Sequence, residues 1–157
     1  PQDGYDFAKL RSLDKPVLIT EFNFGSADRG PFWGGVTQLA KEEDRGPAYA
    51  NFLKQALGEP SIVGVHWFQY LDQPVTGRLL DGENGHFGLV GITDLPFQGF
   101  VDTVRKSNLA TVDQLAKEAQ KAAAEVDKAN HDAEGGRKAE AGKGPGKGAG
   151  GHSGQGH

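Results

Sequence analysis

The chain has 157 residues, 36% hydrophobic and 24% charged, with 24 glycines and neither cysteine nor methionine. The absence of cysteine excludes a disulfide scaffold and a thiolate-based zinc site. No run approaches the roughly 18 apolar residues of a membrane span, and no secretory signal opens the chain, so no membrane partner is expected. The start at Pro1, in mid-pattern and without an initiator Met, leads to the expectation that this is a piece of a longer chain. Charge is unevenly spread: residues 1–108 carry 10 Lys/Arg against 14 Asp/Glu, residues 109–134 carry 3 against 6, and residues 135–157 carry 4 against 1. An acidic body argues against nucleic acid, because phosphate binding needs a basic face.

In chain order, Tyr5, Ala8, Leu10 and Leu13 suggest the end of a helix, broken at Asp14-Lys15-Pro16. Val17-Leu18-Ile19-Thr20, ending in Glu21, reads as a strand buried on both faces, the parallel-sheet type. From Asn23 to Lys41 runs a Gly-rich connection too long for an ordinary loop, and Phe24, Phe32 and Trp33 mark it as ordered and functional. A helix is expected from about Glu42 to Leu57, with Tyr49, Phe52, Leu53, Ala56 and Leu57 on one stripe. Acidic residues suit its start and Gly58 its stop.

Ile62–Phe68 is a second strand, and the helix between the two makes a βαβ unit with parallel neighbours. A second Gly-rich loop runs from Gln69 to about Thr93. Asp94-Leu95-Pro96 then opens a helix bearing Phe97, Phe100, Val101 and Val104, ending near Asn108. Residues 109–134 form a helical extension whose mostly Ala stripe offers little burial, read as solvated in preference to partner-binding. Residues 135–157 hold ten glycines and no large apolar side chain, and are expected to be a disordered Gly/Lys/His-rich tail. His131, just before this tail, and His152 and His157 within it suit solubilisation better than metal binding.

Both long loops follow the C-terminal ends of strands, where parallel α/β proteins place their active sites. Two strands cannot close a sheet. The expected fold class is therefore α/β: two consecutive βα units of a (β/α)₈ TIM barrel over residues 1–108.

Particular motifs sharpen this. Lys15-Pro-Val-Leu-Ile-Thr-Glu21-Phe, Gly25, Asp28-Arg29-Gly30, Gly64-Val-His-Trp67-Phe-Gln-Tyr70, Asp72-Gln73-Pro74, Thr76-Gly77-Arg78 and Asp81-Gly82-Glu83-Asn84 follow in one order. Over about residues 14–107 this resembles the C-terminal end of family 50 glycoside hydrolases, the β-agarases, within the retaining clan A of (β/α)₈ enzymes. The resemblance implies that the two βα units are the last two of the barrel. It implies a polysaccharide or oligosaccharide substrate of β-galactoside type and the remaining barrel strands as structural partners; no metal or organic cofactor is expected, because no cluster of His, Asp and Glu stands at metal-ligand spacing. It places the catalytic nucleophile on Glu21 and a sugar-lining aromatic on Trp67. A polymeric substrate in turn implies a secreted or periplasmic protein.

Strand alternation agrees with these roles. It puts Val17, Ile19 and Glu21 on one face, with the carboxylate at the barrel mouth, where Asn23, Arg29, His66 or Tyr70 could supply donors. It likewise puts Val63, Val65 and Trp67 on the mouth-facing side and turns His66 to the helix layer as a structural histidine. Sugar rings need an aromatic face and planar polar groups. Trp67 with Gln69, Asp72, Gln73, Arg78, Glu83, Asn84 and Arg29 meets that demand. Two bland alternatives stand beside it: Trp67 as core, and Arg29 and Arg78 as loop braces for Asp28 and Asp81.

Retaining hydrolysis needs two carboxyls about 5–5.5 Å apart. The clan's acid/base lies at the end of the fourth barrel strand, which these residues do not include, and nothing in the spacing gives Glu83 that role. The fragment alone is thus expected to be inactive. The competing class is a non-catalytic carbohydrate-binding or interaction module derived from such a barrel.

Overall fold

The computed structural model describes residues 6–141. Its elements are α1 (Phe7–Arg11), β1 (Val17–Phe22), β2 (Gly25–Ser26), β3 (Gln38–Leu39), a 3₁₀ turn (Glu42–Asp44), α2 (Arg45–Leu57), β4 (Ile62–Trp67) and α3 (Gln98–Ala141). They form a mixed α/β structure with two small sheets, β1 with β4 and β2 with β3, both parallel. Two units divide the chain at Val112/Asp113.

In the first unit, the Asp6 carboxylate caps α1 by accepting from the Lys9 amide at 3.1 Å. Arg11 grips the Glu59 carboxylate through two hydrogen bonds of 2.7 and 2.6 Å. The crossover from β1 to β4 is α2, whose buried Ala48, Tyr49, Phe52, Leu53 and Ala56 share one helical face. That face meets Ile19, Phe22, Phe24 and Ile62 in the core. Phe22 is the hub: its ring stacks on Phe52 at 4.1 Å between centroids and on Tyr49 at 5.6 Å, and meets Trp67 edge-on at 5.2 Å. Phe100 of α3 closes this core, and the Tyr49 hydroxyl donates to Asn108 at 2.7 Å.

The register of the β1–β4 pair shifts twice. Val17 pairs Ile62 but Leu18 pairs Gly64, so Val63 is an extra residue; Ile19 pairs Val65 but Phe22 pairs Trp67, which leaves an extra residue in β1. Each such bulge moves the following side chains to the opposite face. The expected orientations are corrected accordingly. Ile19 is buried against α2, and Val17, Val65 and Trp67 pack on the same core, not into an inward barrel face. His66 is exposed, not turned to the helix layer. The face away from α2 instead presents Leu18, 47% exposed, and Val63, 66% exposed.

The expected boundaries beyond Thr93 also change. Asp94 sits at φ +61 in a turn in which its amide donates to the Gly91 carbonyl and the Gly91 amide to the Leu95 carbonyl, so the helix starts at Gln98, not at Asp94. No helix end occurs at Asn108, because Ser107-Asn108-Leu109-Ala110 contains neither Gly nor Pro. The helical assignment continues to Ala141, so residues 135–141 are helical and not part of a structureless tail. Within the second unit, residues 113–135 are exposed all round. Only weak surface pairs appear there, such as Gln114 with Glu118 at 2.9 Å and Lys121 with Glu125 at 3.9 Å. No helix among the described residues is long and apolar enough to cross a membrane. Tyr5 and residues 142–157, with His152 and His157, lie outside the described residues.

A two-stranded sheet with an apolar face in solvent makes a weak cooperative unit. The 157-residue chain on its own should therefore bind a hydrophobic dye and lose structure over a broad denaturant range. A sharp two-state melt as a monomer would contradict this.

Candidate active site

The chain places its chemistry-bearing loops after β1 and β4, at the carboxyl ends of both strands. The first loop is ordered by the β2–β3 pair, by the Gly25 amide donating to the Gly34 carbonyl at 3.0 Å, and by the Ala27 amide donating to Leu39 at 2.8 Å. Gly35, at φ +88, passes between the Phe87 ring and the Asn23 side chain, where a Cβ would stand 2.7 and 2.8 Å from them. The second loop folds on itself through bridges between Leu71 and Val90 and between Val90 and Pro96. Trp33 and Gly85 join the loops: the Trp33 amide donates to Asn84 at 3.3 Å and the His86 amide to Trp33 at 2.8 Å.

Beneath them lies a buried charge cluster. Arg45 opens α2 with its side chain fully buried. Its Nε donates to the Phe24 carbonyl at 2.8 Å, one terminal nitrogen to Gly88 at 2.8 Å and the other to Glu42 at 2.9 Å, with Phe100 stacked 4.1 Å from the guanidinium carbon. His86, also fully buried, sets Nδ1 2.9 Å from Asp72 and Nε2 against Glu42. Carboxylates on both of its nitrogens suit an imidazolium, with the Arg45 guanidinium 3.2 Å from Nε2 opposing it. Burial acts to lower the His86 pKa, but the hydrogen bonds to Asp72 and Glu42 outweigh it and hold the pKa above the ordinary imidazole value. Two cations and two anions thus balance. Burial pulls the Arg45 pKa below the usual guanidinium range, opposed by Glu42. Among the described residues, no three His, Asp or Glu side chains converge as a metal-binding set.

The structure divides the predicted site residues into two groups. Asp72 and Gln73 are only 4% and 2% exposed and belong to the frame, not to a sugar surface. Asp72 accepts from the Gly88 amide at 2.6 Å, while Gln73 accepts from the Gly85 amide and donates to Glu83 at 2.5 Å. Trp67 is likewise held inward. Its indole N–H donates to the Phe87 carbonyl at 2.9 Å, and its ring lies 5.1 Å from Phe100 and 5.6 Å from Tyr49. Asn84 spends its amide on the Pro31 carbonyl at 3.0 Å. Arg29 lies over Phe97 at 4.8 Å, in a surface cavity of about 480 Å³ also lined by Asp28 and Phe32. A neighbouring cavity of about 450 Å³ shares Asp28 and Phe97. Neither cavity is lined by Glu21.

The second group gathers at the end of β1. Glu21 is exposed there. Arg78 holds Asp81 through hydrogen bonds of 2.8 and 2.7 Å and reaches Glu83 at 3.1 Å. That bond to Asp81 raises the Arg78 pKa, and the charges of Glu83 and Glu21 add to the effect, so all three carboxylates act on one guanidinium. Asp81 is held down to about 2, first by its hydrogen bond from Arg78. Gln69 stays half-buried and donates to the Leu71 carbonyl at 2.7 Å. Sequence reading did not single out Phe68, whose half-buried ring lies 6.0 Å from the Arg78 guanidinium carbon. Its place directly after Trp67 is the signal that could have found it.

No protein-family model matches the chain. β-Agarase B of Vibrio sp. strain JT0107 is 48% identical over 103 residues, which are 66% of this chain and 11% of that protein. β-Agarase A of the same organism is 40% identical over 106 residues, 68% of this chain and 11% of that protein. The chain thus spans about a tenth of the length of these curated relatives. Among solved structures, an exo-β-agarase is 43% identical with a TM-score of 0.61, over 65% of this chain and 14% of that one. A further agarase is 38% identical with a TM-score of 0.62, over 66% of this chain and 16% of that one. The homologues are β-agarases, over about two thirds of the chain, and the family 50 resemblance drawn from the motifs is borne out.

The His86 cluster carries a pH signature. Because the folded chain binds this proton more tightly than the unfolded chain, its stabilisation is complete below about pH 6.5 and is lost as pH rises from there through the raised folded value. The denaturant midpoint should fall across that window, and His86→Gln should lower the midpoint and flatten the dependence. A wild-type midpoint that is level over the same window would mean that folded His86 is neutral.

Proposed function

We propose that this chain is the C-terminal part of a (β/α)₈ barrel, its last two βα units, and that the complete protein is a retaining glycoside hydrolase acting on agar-type β-galactan. The barrel reading is supported by the parallel β1–β4 pair with its crossover helix and by the apolar face of Leu18 and Val63, which six further strands would cover. The observation that carries the catalytic reading is Glu21: an exposed carboxylate at the carboxyl end of β1, electrostatically coupled to Arg78, within a stretch 40–48% identical to β-agarases. The extracellular or periplasmic location follows as part of the same proposal, since such a polymer does not enter cells intact.

In this mechanism a Glu21 oxygen attacks the anomeric carbon while the bond to the leaving oxygen breaks. The leaving oxygen takes a proton from a general acid, and water then releases the sugar from its ester with Glu21. Arg78 places a positive charge on the same face as the Glu21 carboxylate. Glu83 is committed to Arg78 and Gln73, which disfavours it as the acid, so that role falls to a carboxyl on another strand of the complete barrel. Gln69, Arg78 and Glu83 remain as polar contacts for sugar hydroxyls.

In the complete protein, Glu21→Gln should lower turnover by several orders of magnitude while oligosaccharide binding persists. Azide should restore activity to Glu21→Ala by filling the vacated space, giving a glycosyl azide of inverted configuration. Wild-type turnover in Glu21→Gln would remove the nucleophile assignment, whereas oligosaccharide binding without turnover in the wild type would favour a carbohydrate-binding module. The 157-residue chain by itself should be inactive whatever stands at position 21.

A further inference from the structure

A chain of aromatic contacts leads away from the Glu21–Arg78 cluster. Arg78 lies over Phe68, the Phe68 ring is 6.1 Å from that of Phe87, and Phe87 meets Trp33 edge-on at 5.7 Å. Phe87 is almost fully buried, whereas Trp33 is 41% exposed. Trp33 therefore rests on a fixed aromatic base and shows much of its indole to solvent. Its own backbone is pinned on both sides, by its amide on Asn84 and by the His86 amide on its carbonyl. No hydrogen bond to its indole N–H occurs among the described residues, in contrast with Trp67, whose N–H is spent on Phe87.

A large apolar side chain exposed on a pinned loop, with an unused donor at its rim, has the features of a stacking platform. Sugar rings present C–H faces to such a surface and hydroxyls to such a donor. We propose that Trp33 is a distal sugar-stacking platform, binding a unit of the polysaccharide beyond the one attacked by Glu21. This rests on the glycoside hydrolase reading above and adds a determinant of substrate length to it. Because Phe87 orders the loop beneath, the platform needs no rearrangement to receive the chain, which keeps the entropic cost of binding low.

The test uses the complete protein and compares agarose oligosaccharides of increasing length with an aryl β-galactoside that holds a single sugar. Trp33→Ala should raise KM for the longer oligosaccharides by roughly tenfold, a loss on the scale of one stacking contact, and leave kcat/KM for the aryl galactoside unchanged. Trp33→Phe should restore most of the loss. An unchanged KM for long substrates would overturn the proposal. So would an equal loss on both substrates, which would make Trp33 structural. If the wild type cleaves no galactan, the parent reading falls on its own. Trp33 is then judged by an oligosaccharide-induced change in tryptophan emission that disappears in Trp33→Phe, and no such change would overturn it.

Discussion

The structure depends most on the burial of Arg45. A guanidinium without access to water costs several kcal/mol unless every donor is matched. Here the matching groups come from three places: the carbonyl of Phe24 in the first loop, Glu42 in the turn before α2, and the carbonyl of Gly88 in the second loop. His86 extends the network to Asp72. Phe24 and Gly88 lie 21 and 43 residues from Arg45 in sequence, so the charge cluster fixes the bases of both long loops relative to α2. Apart from it, the two Gly-rich stretches rest on a few buried apolar side chains, chiefly Phe24, Phe87 and Val90.

The order of the elements was legible from sequence because it is written in composition. The aliphatic runs at 17–20 and 62–65, the aromatic stripe of α2 and the punctuating Pro and Gly residues each report a local preference. Side-chain direction was not legible in the same way. A bulge is one unpaired residue, and neither Val63 nor the stretch between Ile19 and Phe22 carries a signal for it. Once the register slips, simple alternation assigns Trp67 and His66 to the wrong sides.

The candidate site shows the same division. The placement of Glu21 at a strand end and of Arg78 beside Asp81 was readable because each depends on local sequence. Asp72 and Gln73 were misread as sugar contacts because a buried polar residue and a ligand-binding one look alike in sequence. What separates them is the partner, Gly88 for Asp72 and Gly85 with Glu83 for Gln73, lying 10 to 16 residues away. The end of the Phe97–Val104 helix was misplaced for a different reason. Solvation of a helix face changes its stability but not its period, so a falling apolar content need not mark a boundary.

The pinned loop bases have an evolutionary consequence. Residues that satisfy a buried charge are hard to replace one at a time, since each loss strands a partner. The outer parts of the same loops carry no such obligation: Val36 and Leu79, for example, are almost wholly in solvent. Mutation can therefore explore the outer parts of these loops while the scaffold below stays constant. Changes at the loop tips are accessible to this architecture with little risk to folding.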